Sequence, residues 1–128
     1  MATADGPVAR ILVIDDDPDV RSFLSESLAS LGYTGVIKDD GADALSDLDR
    51  IDPDIMIVDF AMPGMNGAEL AQKVRALRPD LPILFASGYA ETAALDSVMR
   101  AHTILLRKPF GIDELQSALT DLLADRTI

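Results

Sequence analysis

The sequence RILVI at residues 10–14 runs directly into DDDP at residues 15–18, so a short apolar run ends at once in acidic residues. A continuous apolar run of this length is typical of a strand buried on both faces of a parallel sheet. Similar runs occupy residues 54–58, 82–86 and 103–106. Another run, at 35–38, is short and carries a charge, which is typical of an edge strand.

Apolar residues with helical spacing separate these runs. Asp17 can cap a helix in which Pro18 takes the first position and which ends at Gly32. Further helices are predicted around residues 42–48, 70–77, 91–100 and 112–122, the pattern over 91–100 being the weakest. Strands and helices therefore alternate through short connections, which favours right-handed parallel crossovers. The predicted fold is α/β: a doubly wound five-stranded parallel sheet of order 2-1-3-4-5, with flavodoxin-like topology and five helices.

Length and charge limit the function classes. The 128 residues fit one domain, which we place at residues 10–126 behind a disordered tail at 1–9. Acidic residues outnumber Lys plus Arg by 22 to 11, and a net charge of −11 is the wrong sign for binding nucleic acid or an anionic membrane. The chain has neither a long apolar span nor cysteine, so we expect a soluble cytoplasmic protein without thiolate chemistry.

Carboxylates follow two strands that are neighbours in the predicted order. Asp15 and Asp16 follow strand 1, and Asp59 follows strand 3, where folds of this winding bind their ligands. Two unit charges about 4 Å apart repel by about 4 kcal/mol at an effective dielectric of about 20. A raised carboxylate pKa, a basic side chain or a bound cation could offset this repulsion. The strand at 103–106 is followed by Lys108, but its single ammonium cannot neutralise three carboxylates. We therefore predict a magnesium site.

Two more polar residues are predicted to reach the same edge of the sheet. Ser87 follows strand 4 and supplies a hydroxyl, while Lys108 follows strand 5 and supplies an ammonium. A carboxylate, a divalent cation, a hydroxyl and an ammonium together form a phosphoryl-transfer site. Asp59 would be the nucleophile, and Lys108 and Ser87 would bind the oxygens of the transferred group.

Three segments carry a resemblance to a known family: ILVIDDDP at 11–18, DIMIVDFAMPGMNG at 54–67 and LRKPF at 106–110. They resemble the signature segments of bacterial two-component response-regulator receiver domains, of the chemotaxis-regulator type. The resemblance implies that Asp59 is the phosphoacceptor, that Asp16 binds Mg²⁺ directly, and that Asp15 acts through water or as a positioning carboxylate. The carbonyl of Ala61 would be a further ligand, Ser87 and Lys108 match the family's hydroxyl and lysine, and the Lys108–Pro109 peptide bond would be cis.

The resemblance also implies partners. A sensor histidine kinase or a histidine phosphotransfer protein would donate the phosphoryl group, the chain itself would not be an enzyme, and a downstream target protein would read the modified surface. The family commonly has an aromatic residue where this chain has Leu105, so the usual aromatic switch is not expected. The segment at 82–90 resembles a receiver subset with an irregular fourth helix. We hypothesise that phosphorylation reorders this region, with Ser87, Tyr89 and Leu105 as switch residues.

Other readings of the same residues remain open. A haloacid-dehalogenase-type phosphatase would use Asp15 and Asp17 as its Asp-x-Asp motif, but Pro18 departs from that pattern and Asp59 would have no role. A flavin-binding module would place phosphate where the aspartates repel it. A pseudo-receiver would dock to partners without phosphorylation. His102 is read as a solvated loop residue.

Overall fold

The computed structural model describes residues 9–60, 67–88 and 102–126. Within them, five strands form one parallel sheet of order β2-β1-β3-β4-β5, as predicted. The strands are β1 (Arg10–Ile14), β2 (Thr34–Lys38), β3 (Ile55–Asp59), β4 (Ile83–Ser87) and β5 (Thr103–Arg107).

The C-terminal ends of β3, β4 and β5 lie one residue beyond their predicted ends, because the ladder of hydrogen bonds continues past the apolar runs. The amide of Phe60 still donates to the Ala86 carbonyl at 2.9 Å, and the amide of Lys108 donates to the Ser87 carbonyl at 2.7 Å. Asp59 is therefore part of the sheet, paired in register with Ala86, and not the first residue of a loop.

The helices of the described residues are α1 (Pro18–Ser30), α2 (Gly41–Ser46), α3 (Leu48–Ile51), α4 (Gly67–Leu77) and α5 (Ile112–Arg126). Asp17 caps α1 as predicted, since its side chain accepts a hydrogen bond from the Asp19 amide. The predicted helix at 42–48 is two short helices, α2 and α3, which meet at Asp47. The predicted helix at 91–100 lies outside the described residues, and so does most of the predicted tail at 1–9; within that tail, the Ala9 carbonyl accepts a hydrogen bond from the Thr34 amide.

An ion-pair network occupies the joint between α2 and α3. Asp47 accepts hydrogen bonds from Lys38 at 2.7 Å and from Arg50 at 2.8 Å. The hydrogen bond from Lys38 and then that from Arg50 lower the pKa of Asp47, and the same bond to Asp47 raises the pKa of Lys38. The end of β2 is thereby tied to the joint at which the predicted helix divides.

The core has two layers, one on each face of the sheet, because successive side chains of a strand point to opposite faces. On one face, α2, α3 and α4 cover a buried cluster that includes Leu12, Met56, Val58 and Phe85. On the other face, α1 and α5 cover a cluster that includes Ile11, Val13, Ile57 and Leu84. The central strands β1, β3 and β4 are therefore almost wholly buried, including their C-terminal ends. No helix of the described segments has the length and apolar character needed to cross a membrane.

Gly32 offers a direct test of the turn between α1 and β2. Its φ is 91°, which L side chains rarely adopt, although a Cβ there would meet no heavy atom within 4 Å. We expect Gly32→Ala to lower the free energy of unfolding by about 1 kcal/mol through backbone strain alone. Gly32→Asn should recover part of this loss, because Asn tolerates the left-handed region. Equilibrium urea unfolding measures both changes, and equal stability of Gly32→Ala and the unmodified chain would contradict the assignment.

Candidate functional site

Three carboxylates from two strand ends meet at the C-terminal edge of the sheet. Asp15, Asp16 and Asp59 each place one carboxylate oxygen within 4.8 Å of the other two, and we call this group the acidic triad. Asp15 is 1% exposed and Asp59 6% exposed, whereas Asp16 is open to solvent. The structure therefore brings together the side chains that the strand order predicted would meet.

The amide, the carboxylate and the carbonyl of Asp15 each make a hydrogen bond. Its amide donates to the Lys38 carbonyl at 3.3 Å, and its Oδ1 accepts from the Asp17 amide at 2.9 Å. Its carbonyl accepts from Nη1 of Arg21, also at 2.9 Å. The bond from the Asp17 amide compensates part of the desolvation of the buried carboxylate, and the two backbone bonds fix the turn between β1 and α1.

Lys108 supplies the basic group next to the triad. Its Nζ lies 3.5 Å from Oδ2 of Asp15 and 3.3 Å from Oδ1 of Asp59. Partial burial lowers the pKa of Lys108, but the charges of Asp15 and Asp59 outweigh this effect, so the pKa stands above its ordinary value. The Lys108–Pro109 peptide bond is cis, as the resemblance implied.

Ser87 ends β4, which lies between β3, the strand of Asp59, and β5, the strand that Lys108 follows. It is fully buried, and its hydroxyl donates to the Gly88 carbonyl at 2.9 Å. Leu105 in β5 is paired in register with Phe85 and packs against the α4-side cluster. Ala61 and Tyr89 lie outside the described residues, so their roles as ligand and as switch residue stay predictions.

Gly67, the first residue of α4, packs directly on the end of β3. Its amide donates to the Phe60 carbonyl at 2.8 Å. A Cβ at this position would lie 2.7 Å from the Asp59 carbonyl oxygen and 2.7 Å from Cα of Phe60, which no ordinary contact allows. Only glycine permits this approach of helix to strand. The start of α4 is thus fixed against the backbone of Asp59.

Two residues that contribute to the site were missed from the sequence: Arg21 and Gly67. Arg21 follows the acidic run by one helical turn, and helical side chains lean toward the N-terminus, so its reach to Asp15 was in principle readable. For Gly67 the available signal was its place at a predicted helix start, which does not reveal a contact with the strand end.

An apolar groove of about 260 Å³ lies beside Lys108, between α1 and the segment that follows β5. Its walls are formed by Asp19, Val20, Phe23, Lys108, Pro109 and Phe110. The rings of Phe23 and Phe110 meet edge to face with centroids 6.0 Å apart, and Phe23 is 37% exposed. The triad therefore opens next to an apolar surface.

The donor set of the triad fits a hard divalent cation. Magnesium prefers carboxylate and carbonyl oxygens and retains several waters. Asp15 and Asp59 are buried, Asp16 faces solvent, and one ammonium balances only part of their charge. A cation held by oxygens on the open side would complete the neutralisation.

Comparison with known proteins identifies the family. Residues 11–120 match the family model of the response regulator receiver domain. The chain belongs to this family. The receiver domain is 36% identical over 115 residues to the response regulator receiver protein CpdR of Brucella abortus (strain 2308), a match that covers 89% of this chain and 96% of CpdR. A receiver protein from Sinorhizobium medicae WSM419 has a similar crystal structure, with a TM-score of 0.85 and 26% identity over 93% of this chain and 97% of that one.

Other relatives are much longer proteins. The receiver domain is 36% identical to the sensor histidine kinase RcsC of Escherichia coli (strain K12), of which it spans 13%. It is 33% identical to the DNA-binding transcriptional regulator NtrC of the same strain, of which it spans 22%.

The match to the family model shows that the chain is a phosphoacceptor signalling domain of two-component systems, a family phosphorylated by histidine kinases. The phosphatase, flavin and pseudo-receiver readings are not favoured.

Opposite charge changes, one in the acidic triad and one at the neighbouring Lys108, should have opposite effects on the stability of the metal-free receiver domain. Asp16→Asn should raise the free energy of unfolding, on the order of 1 kcal/mol for a solvent-exposed charge about 4 Å from its neighbours, because it relieves repulsion. Lys108→Met should lower it, because Asp15 and Asp59 lose their ammonium. Chemical denaturation in the presence of a chelator measures both variants. Destabilisation by Asp16→Asn would contradict the electrostatic picture.

Proposed function

We propose that Asp59 accepts the phosphoryl group and that Asp15, Asp16, Asp59 and the carbonyl of Ala61 hold Mg²⁺ for the transfer. The observation that supports this most directly is the position of Lys108, whose ammonium lies 3.3 Å from Oδ1 of Asp59 at the mouth of the triad. Lys108 approaches both buried carboxylates, Asp15 and Asp59, and of the two Asp59 is the one that belongs to a strand, where its backbone pairs with β4. Bound Mg²⁺ would supply charge neutralisation at the phosphoryl oxygens.

The transfer is a substitution at phosphorus. A carboxylate oxygen of Asp59 forms the new O–P bond while the N–P bond of the donor phosphohistidine breaks, and the electron pair of that bond stays on the imidazole nitrogen. Lys108 then faces a phosphoryl oxygen in place of a carboxylate oxygen. The chain thereby acts as the acceptor of a kinase and not as an enzyme with a turnover of its own.

Ser87 would transmit the effect of phosphorylation from Asp59 to the surface of the domain. In the unphosphorylated chain its hydroxyl donates to the Gly88 carbonyl. A phosphoryl group on Asp59 adds strong acceptor oxygens, toward which that hydroxyl and Lys108 can turn. Such a turn moves the backbone after β4 and β5 and changes the surface near β5 and α5. Tyr89 is the proposed moving ring in this response, since Leu105 offers none.

The phosphodonor would be a sensor histidine kinase or a histidine phosphotransfer protein, and the changed surface would bind a downstream protein in the cytoplasm. A phosphohistidine that reaches Asp59 must pass the rim of the site, where the groove between Phe23 and Phe110 offers an apolar surface beside Lys108. The net charge of −11 opposes contact with nucleic acid or a membrane by this segment itself, whatever the longer relatives bind through their other parts.

Phosphoryl labelling tests the acceptor directly. Acetyl phosphate with magnesium chloride should add one phosphoryl group to the chain, and peptide mapping should place it on Asp59. Asp59→Asn should abolish the label, while Asp80→Asn, which removes an exposed carboxylate at a turn, should leave it unchanged. Magnesium at about 100 times its dissociation constant should also raise the free energy of unfolding by about 2.7 kcal/mol. A label on Asp15 would favour a phosphatase instead, and no label at all would end the proposal.

The groove predicts a difference between phosphodonors. Phe23→Ala should slow phosphoryl transfer from a phosphorylated histidine kinase by about tenfold, as the loss of a buried aromatic contact at an interface implies. It should leave labelling by acetyl phosphate unchanged, because a small donor needs no docking surface. Leu77→Ala removes an apolar side chain that is 63% exposed at the end of α4 and serves as the control. Equal slowing with both donors would mean that Phe23 acts on the site and not on docking.

A further inference from the structure

We propose that Arg21 is a positioning residue for the magnesium site: by binding the carbonyl of Asp15, its guanidinium fixes the turn that presents Asp15 and Asp16 to the metal. This inference rests on the magnesium-dependent function proposed above. It concerns a residue of α1 that makes no contact with the carboxylates of the triad in the described structure.

Arg21 binds the turn at two points. Its amide donates to the Asp17 carbonyl at 3.0 Å, which closes the first turn of α1. Its Nη1 donates to the Asp15 carbonyl at 2.9 Å, two residues further back along the chain. The side chain is partly buried along this path. One residue therefore joins the start of the helix to the end of β1 across the acidic run.

The planarity of the peptide bond turns this hydrogen bond into a constraint on two aspartates. The carbonyl of Asp15 lies in one plane with the Cα atoms of Asp15 and Asp16. A guanidinium that holds this oxygen thus sets the orientation of the peptide on which both side chains are mounted. Asp15 has further restraints, namely the Asp17 amide and Lys108. Asp16 is exposed and depends more heavily on the backbone for its position.

A role in positioning and a role as a charge predict opposite effects on metal binding. A positive charge near a cation site weakens binding by repulsion, so its removal alone should strengthen binding. Loss of positioning should weaken binding instead, because Mg²⁺ demands near-ideal octahedral geometry. Groups that orient metal ligands typically contribute a factor of 10–100 in affinity. The sign of the change therefore identifies the role of Arg21.

The test is a titration of the full chain with magnesium chloride, followed by NMR. We expect Arg21→Met to raise the magnesium dissociation constant by about tenfold. Arg21→Lys keeps the charge and one donor, and should recover part of the affinity. Arg50→Met removes the same charge from a side chain that is 77% exposed and paired with Asp47, and should leave the dissociation constant unchanged.

A second measurement is made without metal. The Asp17 amide donates to Oδ1 of Asp15, so its hydrogen exchange reports whether the turn is held. Exchange at Asp17 should be faster in Arg21→Met than in the unmodified chain, and Arg50→Met should not change it. A magnesium dissociation constant that is unchanged or lowered in Arg21→Met overturns the proposal, even where the variant is less stable. Unchanged exchange at Asp17 overturns it as well. Because the exchange needs neither metal nor phosphoryl group, failure to label Asp59 in the unmodified chain would be a separate result.

Discussion

The mutual repulsion of three carboxylates is the constraint around which this domain is built. Asp15 and Asp59 lie nearly buried at one edge of the sheet, and Asp16 lies beside them. Removing such charges from water is costly unless each is paired or hydrogen-bonded. The Asp17 amide and the Lys108 ammonium meet that requirement for the buried carboxylates, while Arg21 binds the backbone carbonyl of Asp15.

Much of the fold and of the site follows from the sequence because both depend on local patterns. Buried strands leave continuous apolar runs, and strand order follows from the alternation with helices. Asp15, Asp59 and Ser87 come directly after such runs and Lys108 follows one by two residues, so the strand order predicted that these groups would lie at one edge of the sheet. The errors at strand ends were single residues, since hydrophobicity stops before the backbone ladder does.

The features that were not predicted from the sequence depend on three-dimensional contacts that sequence patterns do not reveal. The second predicted helix divides at Asp47, which pairs with Lys38 from the end of β2, whereas the apolar spacing of the sequence continues through this joint. The spacing of Arg21 from the acidic run permits a contact with Asp15 but does not require one, and only the structure shows that its guanidinium binds the Asp15 carbonyl. In the sequence, Gly67 likewise looks like an ordinary helix start. The backbone that leaves no room for a side chain at this position belongs to the end of β3.

The contact between Gly67 and the end of β3 couples the position of α4 to the backbone of Asp59. The Gly67 amide donates a hydrogen bond to the Phe60 carbonyl, and no side chain lies between the two backbones. A side chain larger than hydrogen at residue 67 would therefore push the start of α4 away from the end of β3. Any displacement of the Asp59 backbone must accordingly be accommodated by α4 as well as by β4, with which Asp59 pairs in register.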